Sequence, residues 1–466
     1  MPKSLGQFVD MLKKAYPEEL SVVSREIRPA QFEVTALLEN LNTAKQFPAV
    51  LFNNTQNVHG KASGISILSN LFATRERCAL ALDMPVEDCK MPLSLEVARR
   101  EQLPVEPEII NEQVPVQEVI ITGEAIDVAQ LPIVRHYEMD LGPVLTMACC
   151  MRDPDTGVYD ISFVKNFYKN KPDYMGVSIH SPHLERIYRR YEELGRRAPI
   201  ITILGHHPAF CLGINALTSF ERDDYHTIGG FLGERVRLAP SITWGSDFLV
   251  PADAEIIIEG EILPGVREVV DPFGEVLRDY QPQCLRQAMQ VTAITRRQKA
   301  IMQDIFTGHR DLWVFAGLPK EGSVYNTLQS KVGNIVAVHR PNSGASLSCY
   351  ISIKKVKEGQ GKLTGLIALM ENWSFQVIVV VDDFVDVYDE EDVLWAILMM
   401  TNPKRDVEFL KNVGSTVFAT EFSNNKVVID ATRPLDKPFP TKFNIPTEVL
   451  EAIRPDEWID KYEEEK

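Results

Sequence analysis

Two acidic residues flank a tight turn in the segment VVDPFGEVLRDYQ, residues 269–281. Asp271 and Glu275 stand on either side of Pro-Phe-Gly, in which proline fixes φ and glycine permits a positive φ. A turn of this kind can hold carboxylates that exchange a proton with a bound molecule. It can also be a solvated bend between two strands, as most acidic turns are. The residues alone leave both interpretations open.

Histidines form the second group that could do chemistry. His180 and His183 lie in VSIHSPHLER, at the end of a predicted strand and the start of a predicted helix. The pair could supply two metal ligands, or each ring could be a hydrogen-bonded structural residue. His206 and His207 lie in ILGHHPAF, which could be part of a site or only a polar loop.

Several common sites are excluded by their motifs. The sequence has no GxGxxG, no GxxxxGK[ST] and no GxSxG segment, so neither an ordinary nucleotide site nor a serine hydrolase is indicated. The 7 cysteines include no CxxC pair and no zinc-type spacing. Reduced thiols in a cytoplasmic protein are the expectation.

The elements that must position these residues change character along the chain. Its 466 residues are too many for one ordinary core and predict two or three domains. Short β-branched strands dominate from about 116 to 300, interrupted by an amphipathic helix at 181–197. After about 320, helices alternate with strands, including the apolar strand FQVIVVVDD at 375–383.

The remaining elements predicted are a strand at 48–54, a helix at 69–85, a connector at 101–119, a strand at 348–356 and a helix at 389–400.

Charge and hydropathy restrict the partners. The formal net charge of −16 argues against a nucleic-acid partner. The longest apolar run, VIVVV at 377–381, is far too short to span a bilayer, and the first residues read as a charged amphipathic helix. We therefore expect a cytoplasmic protein with neither a nucleic-acid nor a membrane partner.

An ordered set of segments resembles the UbiD-like decarboxylases. In chain order these are FPAVLFNN, SNLFATRERCALAL, GPVLTMACCMRDPDTGVYDISFV, IITILGHHPAFCLG, SDFLVPADAEIIIEGEI, DPFGE, VIVVVDDFVDVYDEEDVLWAI and VIDAT. VPADAEIIIEGEI and VDVYDEEDVLWAI are the most specific of them, and the set covers nearly the whole chain.

The resemblance implies a mixed α+β and α/β fold in three parts. These are an N-terminal α/β domain (1–115), a central flavin-binding split β-barrel (116–315) and a C-terminal α/β oligomerisation domain (316–466). It also implies prenylated FMN, held through its phosphate by Mn²⁺ or Mg²⁺ and often K⁺. This cofactor serves as an electron sink at the carbon bearing the carboxylate, while the protein manages one proton.

The resemblance also implies the metal ligands. The family's asparagine ligand matches Asp160, a good oxygen donor for Mn²⁺ or Mg²⁺. Its histidine ligand matches His180. Its glutamate ligand is expected in SDFLVP, where relatives read NDLEVP, and there the chain has Leu249. On this alignment the site retains two protein ligands and lacks the third.

The family's catalytic network is Glu-Arg-Glu. Its arginine matches Lys165, which keeps the charge but not the bidentate fork. Where relatives read EGPFGE, this chain reads VDPFGE, so the second glutamate is Glu275 and the first is replaced by Val270. We expect Lys165 and Glu275 to contact each other. Asp271 should point elsewhere if the turn is conserved, although a substitute role for it stays open.

The remaining cofactor positions are less closely defined. The resemblance places the cofactor against Ser162, Phe163 and Val164 and against the pocket segment Leu217, Thr218 and Ser219. A lysine that reaches the flavin phosphate in relatives matches Gln376.

Two functions follow from these substitutions. One is an active prenylated-FMN enzyme that decarboxylates or carboxylates an aromatic substrate, since the electrons of a phenolic ring lower the need for an acid. The family includes multi-subunit carboxylases with two UbiD-like chains, such as phenylphosphate carboxylase. The second possible function, which such assemblies suggest, is that of a degenerate subunit that supports a better-equipped UbiD-like partner. Both predict a homo- or hetero-oligomer, with a small aromatic acid and CO₂ as the small-molecule partners.

Overall fold

The computed structural model describes residues 2–345, 347–372, 374–414, 425–439, 442–443 and 445–458. The helices are α1 (Leu5–Ala15), α2 (Glu33–Thr43), α3 (Arg75–Ala81), α4 (Met91–Arg100), α5 (Pro182–Glu193), α6 (Pro208–Ile214), α7 (Asp224–Leu232), α8 (Arg310–Lys331), α9 (Gln360–Glu371), α10 (Glu390–Met400), α11 (Pro403–Asp406), α12 (Thr447–Ala452) and α13 (Pro455–Trp458).

The strands of the first half are β1 (Leu20–Val23), β2 (Ala49–Phe52), β3 (Ser66–Ser69), β4 (Glu108–Ile109), β5 (Val119–Thr122), β6 (Val144–Leu145), β7 (Ala148–Arg152), β8 (Tyr159–Phe163), β9 (Lys165–Tyr168), β10 (Tyr174–Ser178) and β11 (Ala198–Ile203). Those of the second half are β12 (Arg237–Ser241), β13 (Gly245–Pro251), β14 (Ile256–Val270), β15 (Cys284–Arg296), β16 (Ile301–Gln303), β17 (Ile335–His339), β18 (Ser348–Ile353), β19 (Val377–Asp382), β20 (Val407–Leu410) and β21 (Lys426–Ala431).

The largest sheet of the described residues is a curled half-barrel in the middle of the chain. Its strand order is β6-β9-β10-β15-β14-β11-β7-β8, and β5 adds to β15. The long strands β14 and β15 pair antiparallel, with irregularities after Glu259 and Ile262 that let the sheet curl. A separate small sheet of β13, β12 and β4 packs beside it.

The N-terminal and central parts share one hydrophobic core. The N-terminal sheet, β1-β2-β3-β16, takes its last strand from residues that follow the half-barrel. The buried cluster runs without interruption from Leu5 on α1 to Leu318 on α8. These two parts therefore form one packed unit, to which α8 attaches the C-terminal domain.

The C-terminal domain is built on the sheet β17-β18-β19-β21-β20. Alternate side chains of β19 enter two separate apolar clusters, Ile378 and Val380 on one face and Val379 and Val381 on the other. A strand buried on both faces reads as a continuous apolar run, which is why the pattern at 375–383 predicted it. The expected α+β class, with strands in the middle and α/β structure at the end, is confirmed.

Two predicted elements differ in extent from those observed. The helix predicted over 69–85 covers only α3, because Thr74 caps its start by accepting from the Arg77 amide, and Asp83 leaves the helix with φ 58°. The connector at 101–119 contains the short strand β4. The predicted boundary at 315 falls inside α8.

Candidate active site

Lys165 lies between two carboxylates at the opening of the half-barrel. It is the first residue of β9, while Asp271 directly follows the end of β14 and Glu275 closes the turn. The Lys165 Nζ atom lies 3.1 Å from Asp271 Oδ1 and also contacts Glu275 Oε1. Lys165 and Asp271 are buried, and Glu275 is largely so. The expected contact between Lys165 and Glu275 is present.

The sequence comparison implied that Asp271 points away from Lys165, but the Asp271 carboxylate contacts Lys165. Its backbone is left-handed, with φ 60°, at the position where relatives have the glycine of EGPFGE. Aspartate tolerates this conformation better than most residues. The conformation turns the carboxylate towards Lys165, and Oδ2 also accepts from the Cys284 thiol at 3.5 Å. Asp271 therefore supplies a second acid to the network.

Val270 is a packing residue in this structure. Its side chain is fully buried in a cluster with Val144, Phe167 and Phe273. A Cβ on Gly176 of the neighbouring β10 would lie 2.9 Å from Val270 Cγ1, so this space is closed. The carboxylate that meets Lys165 on this side therefore comes from Asp271, the residue after Val270.

Burial and charge act in opposite directions on the pKa of Glu275. Burial raises the pKa of Glu275, and the positive charge of Lys165 offsets only part of that shift. The ammonium of Lys165 also lies 5.3 Å from the centre of the Phe273 ring. A carboxyl group with a raised pKa beside a fixed ammonium can donate a proton to a bound molecule.

A second polar cluster lies at β8 and the start of α5. Asp160 Oδ2 is 2.8 Å from His183 Nδ1, so the structure joins Asp160 to His183 and not to His180, the histidine assigned by sequence. His180 contacts Ser178 Oγ at 2.9 Å instead. Burial, followed by the charges of Lys165 and Arg286, lowers the pKa of His180 to about 4. His180 thus belongs to the side of the Lys165 network.

Asp224 is a functional candidate that the sequence interpretation missed. It begins α7, and its Oδ2 accepts from the Ile161 amide at 2.7 Å, next to Asp160 on β8. Burial and then the charge of Asp160 raise the pKa of Asp224 to about 8. Burial and then the charge of Asp223 raise the pKa of Asp160 to about 7. An acidic pair in ERDDYH was the only signal in the sequence.

Leu249 lies on the other side of β8 from this cluster. The Tyr159 hydroxyl accepts from the Leu249 amide at 2.8 Å, so Tyr159 points towards β13. Consecutive side chains of a strand point to opposite faces, and Asp160 therefore points away from Leu249. A carboxylate next to Asp160 is provided by Asp224 at the start of α7.

The donor set fits a divalent cation. Two carboxylates and one imidazole are ligands that Mn²⁺ and Mg²⁺ accept, and a cation between two repelling carboxyl groups relieves their electrostatic strain. Among the described residues, no group of three or more His, Cys, Asp or Glu side chains is already arranged around a metal position. Asp160, His183 and Asp224 would therefore have to close around an ion.

Most of the other predicted cofactor residues border this cluster. Ser162, Phe163 and Val164 continue β8, and the Phe163 ring packs edge-on to Phe315 at 5.0 Å. Thr218 Oγ1 donates to Asp224 Oδ1 at 3.3 Å, while Leu217 and Ser219 on the same loop are exposed.

Two predictions fall outside the cluster. Gln376 directly precedes β19 in the C-terminal domain, where its backbone amide donates to Leu347 O at 2.7 Å. His206 and His207 are both buried; His207 caps α6 by accepting from the Ala209 amide, and His206 stacks on Phe210 at 4.1 Å.

Comparison with known families gives matches along three consecutive parts of the chain. They are the N-terminal (residues 12–90), Rift-related (108–310) and C-terminal (314–431) domains of 3-octaprenyl-4-hydroxybenzoate carboxy-lyase. The chain belongs to the UbiD family of carboxy-lyases, and the resemblance inferred from its motifs is confirmed.

Individual relatives agree with this assignment. The UbiD-class enzyme HmfF from Pelotomaculum thermopropionicum, in complex with FMN, is 31% identical with a TM-score of 0.89, over 98% of this chain and 100% of that one. An evolved dimeric form of HmfF in complex with prenylated FMN has a TM-score of 0.86 at 31% identity, with the same coverage. The anhydromevalonate phosphate decarboxylase of Methanothermobacter thermautotrophicus is 29% identical over 429 residues, which are 89% of this chain and 96% of that protein.

Proposed function

We propose that this chain is a catalytically competent prenylated-FMN decarboxylase or carboxylase, and not a subunit that has lost its chemistry. The observation that carries the proposal is the trio of Lys165, Asp271 and Glu275, which brings one cation and two acids together within a single chain. The degenerate interpretation depended on a lost acid and a lost ligand. Asp271 and Asp224 supply both groups from neighbouring positions.

The trio divides the work of proton transfer. Glu275 donates a proton to the carbon that loses CO₂, because burial favours its protonated form. Lys165 holds the Glu275 carboxyl group in place and stabilises it once it is ionised. Asp271 fixes Lys165 from the other side at 3.1 Å, so the ammonium is not free to follow the proton.

The cofactor supplies the electron sink. When bound, prenylated FMN accepts the electron pair left at the carbon that loses its carboxylate. Asp160, Asp224 and His183 would hold the divalent cation that the phosphate of the cofactor shares, with Mn²⁺ or Mg²⁺ as the ions that suit these donors. Ser162, Phe163 and Thr218 border the same region.

The substrate is an unsaturated carboxylic acid. A phenolic acid was attractive while the network lacked a second acid, since its ring electrons could replace one. With Asp271 in the network that reason no longer applies, and an alkene acid serves as well. A relative acts on anhydromevalonate phosphate, which is not aromatic. Both aromatic and alkene acids therefore belong in the first substrate screen.

A direct experiment reconstitutes the purified protein with prenylated FMN and Mn²⁺ under anaerobic conditions. We expect a bound-flavin absorption spectrum, together with CO₂ release from at least one acid in a panel of phenolic and α,β-unsaturated acids. A colourless protein that retains no flavin and turns over nothing, yet activates a second UbiD-like chain, would show that it is a supporting subunit.

A further inference from the structure

The loop between α6 and α7, residues 215–223, contacts two of the candidate metal ligands. Thr218 Oγ1 donates to Asp224 Oδ1 at 3.3 Å. The Phe220 ring is buried and packs edge-on to the His183 ring, with 5.4 Å between the two centres. The loop therefore reaches from a ligand on α7 to a ligand on α5, and its position affects how both side chains are held.

Hydrogen bonds to other elements hold the first part of this loop. The side chain of Leu217 is 54% exposed, so apolar burial contributes little there. Asn215 Nδ2 donates to Phe315 O on α8 at 2.9 Å. The Leu217 amide donates to Glu101 Oε1 at 3.2 Å. Because this second bond adjoins Thr218, Glu101 holds the part of the loop that reaches the metal cluster.

Glu101 is fixed against α7, the helix that begins with Asp224. It directly follows α4 and is buried. A Cβ on Gly230 of α7 would lie 2.9 Å from Arg100 O, so the two helices pack with their backbones close together. Arg100 Nη1 also donates to Phe231 O on α7. The Glu101 carboxyl group therefore has a firm support from which to hold the loop.

Stability alone does not explain a buried carboxyl group at this position. Among the residues that the structure describes, only the Leu217 amide donates a hydrogen bond to Glu101, and Arg222 acts on it by charge without an ion pair. A single amide recovers less free energy than the burial of a carboxyl group costs. What the bond contributes is therefore the placement of the loop.

We propose that Glu101 is a positioning residue of the metal site. By holding the Leu217 amide, it keeps Thr218 against Asp224 and so orients that carboxylate for a divalent cation. Glu101 acts through the loop and is not itself a ligand. The inference deepens the proposed function and rests on its metal site. It gives the N-terminal part of the chain a role in a site whose ligands lie in the central part.

A titration of the flavin-free full chain with Mn²⁺, followed by electron paramagnetic resonance, tests this role without turnover. Glu101→Ala should bind Mn²⁺ about 10-fold more weakly than wild type, and Glu101→Asp, whose carboxyl group falls short of the loop, nearly as weakly. Glu101→Gln should stay within about threefold of wild type, because its amide oxygen still accepts from Leu217. Adding Thr218→Val to Glu101→Ala should weaken binding no further than the more damaging of the two, since both act on one loop.

The matched control is Glu255→Ala, which should bind Mn²⁺ like wild type. Glu255 is also buried, accepts from the Ile301 amide at 3.0 Å and has its pKa raised by burial to about 7, as Glu101 has.

Hydrogen–deuterium exchange shows whether the loop is the link. A peptide covering 214–223 should exchange faster in Glu101→Ala than in wild type or Glu255→Ala. If exchange and Mn²⁺ binding respond in this way but no acid is turned over, the proposed function fails and the positioning role stands. Equal Mn²⁺ binding by wild type and Glu101→Ala, or a Glu101→Gln protein as weak as Glu101→Ala, would overturn the role even in an active enzyme. A wild-type protein that binds no Mn²⁺ would overturn it together with the metal site.

Discussion

At the scale of single residues, the turn after β14 still brings two carboxyl groups to one cation, with aspartate and lysine in place of a glutamate and an arginine of the family motif. The resemblance to the family motif EGPFGE implies a glutamate where this chain has Val270 and a glycine where it has Asp271. The left-handed backbone at Asp271 directs a carboxylate to the same cation that a glutamate at 270 would be expected to meet. A comparison of residue types position by position would therefore count one acid of the network as lost, although Asp271 supplies a carboxylate to Lys165.

A substitution at Val270 tests this displacement. Val270→Glu would bury a carboxyl group among Val144, Phe167 and Phe273. We expect it to lower the free energy of unfolding by about 2–4 kcal/mol and to leave turnover no higher. Urea denaturation measures the first effect. Val269→Glu, on the exposed neighbour in β14, is the matched control. Higher turnover in Val270→Glu would show that the network is incomplete without it.

At the scale of elements, the proposed metal site depends on how α7 docks on β8. Asp223 caps α7 by accepting from the Tyr225 amide at 2.9 Å, and its other oxygen accepts from the Tyr159 amide at 2.9 Å. This attachment sets Asp224 beside Asp160. The cluster therefore joins residues from two elements that lie far apart in sequence.

Metal retention distinguishes Asp224 from Leu249. Asp224→Asn should reduce the Mn²⁺ and flavin retained after gel filtration by about tenfold or more, because it removes a charged ligand. Leu249→Ala should leave both contents close to wild type, since the Leu249 backbone meets Tyr159, whose side chain lies on the opposite face of β8 from Asp160. Elemental analysis and flavin absorbance measure the two contents. A larger loss in Leu249→Ala than in Asp224→Asn would contradict the assignment.

The helix α8 is held to its neighbours by Glu321. Its carboxylate accepts from Arg75 at 2.9 Å, from Ser94 at 2.5 Å and from the Arg340 amide at 2.9 Å. Burial alone would raise the pKa of Glu321, but Arg75 and His339 outweigh it and hold this pKa below its ordinary value. The N-terminal helices and the C-terminal sheet are thus joined at one buried charge.

Removing that charge should be costly. Glu321→Gln leaves Arg75 without its counter-charge, and we expect a loss of about 3–5 kcal/mol in urea denaturation at neutral pH. Because the folded pKa is lowered, this contribution is present above the unfolded pKa of about 4 and is lost as the pH falls through the lower folded value. The gap between wild type and variant should therefore narrow below about pH 4. A gap that widens in acid would contradict this origin.

Sequence reasoning reached the family, the architecture and the contact between Lys165 and Glu275. These depend on local patterns, such as the apolar run of β19, and on the positions of charged residues in one turn. It did not reach the orientation of Asp271, which depends on a single backbone angle. It offered His183 only as one of two alternative histidine ligands and did not identify Asp224, because the proximity of both to Asp160 is a consequence of helix docking that no local spacing encodes.

At the scale of the whole molecule, the C-terminal domain has an apolar surface that suggests self-association. Several exposed apolar side chains lie on α9, α10 and β20, namely Leu363, Met370, Leu394, Leu398, Met399 and Phe409. Exposed apolar side chains concentrated on a few elements mark interfaces more often than free surface. No helix among the described residues has the length and apolarity needed to cross a membrane.

We expect a second copy of the chain to cover this surface. Light scattering at micromolar concentration should give a mass at least twice 52.6 kDa. Leu398→Glu should shift the mass towards one chain, because it places a charge at an apolar contact. Leu285→Glu, an exposed leucine of the half-barrel, should not. A wild-type protein that is monomeric under these conditions would remove the claim of assembly.

The central claim is that a complete acid–base network operates within this one chain, and Glu275→Gln tests it most directly. Glutamine keeps the shape of the glutamate side chain but has no carboxyl proton to donate. With prenylated FMN bound equally to both proteins, we predict that turnover of an accepted acid falls about 10²- to 10⁴-fold, while flavin content and the free energy of unfolding change little. Turnover within a few-fold of wild type at equal flavin content would contradict the account.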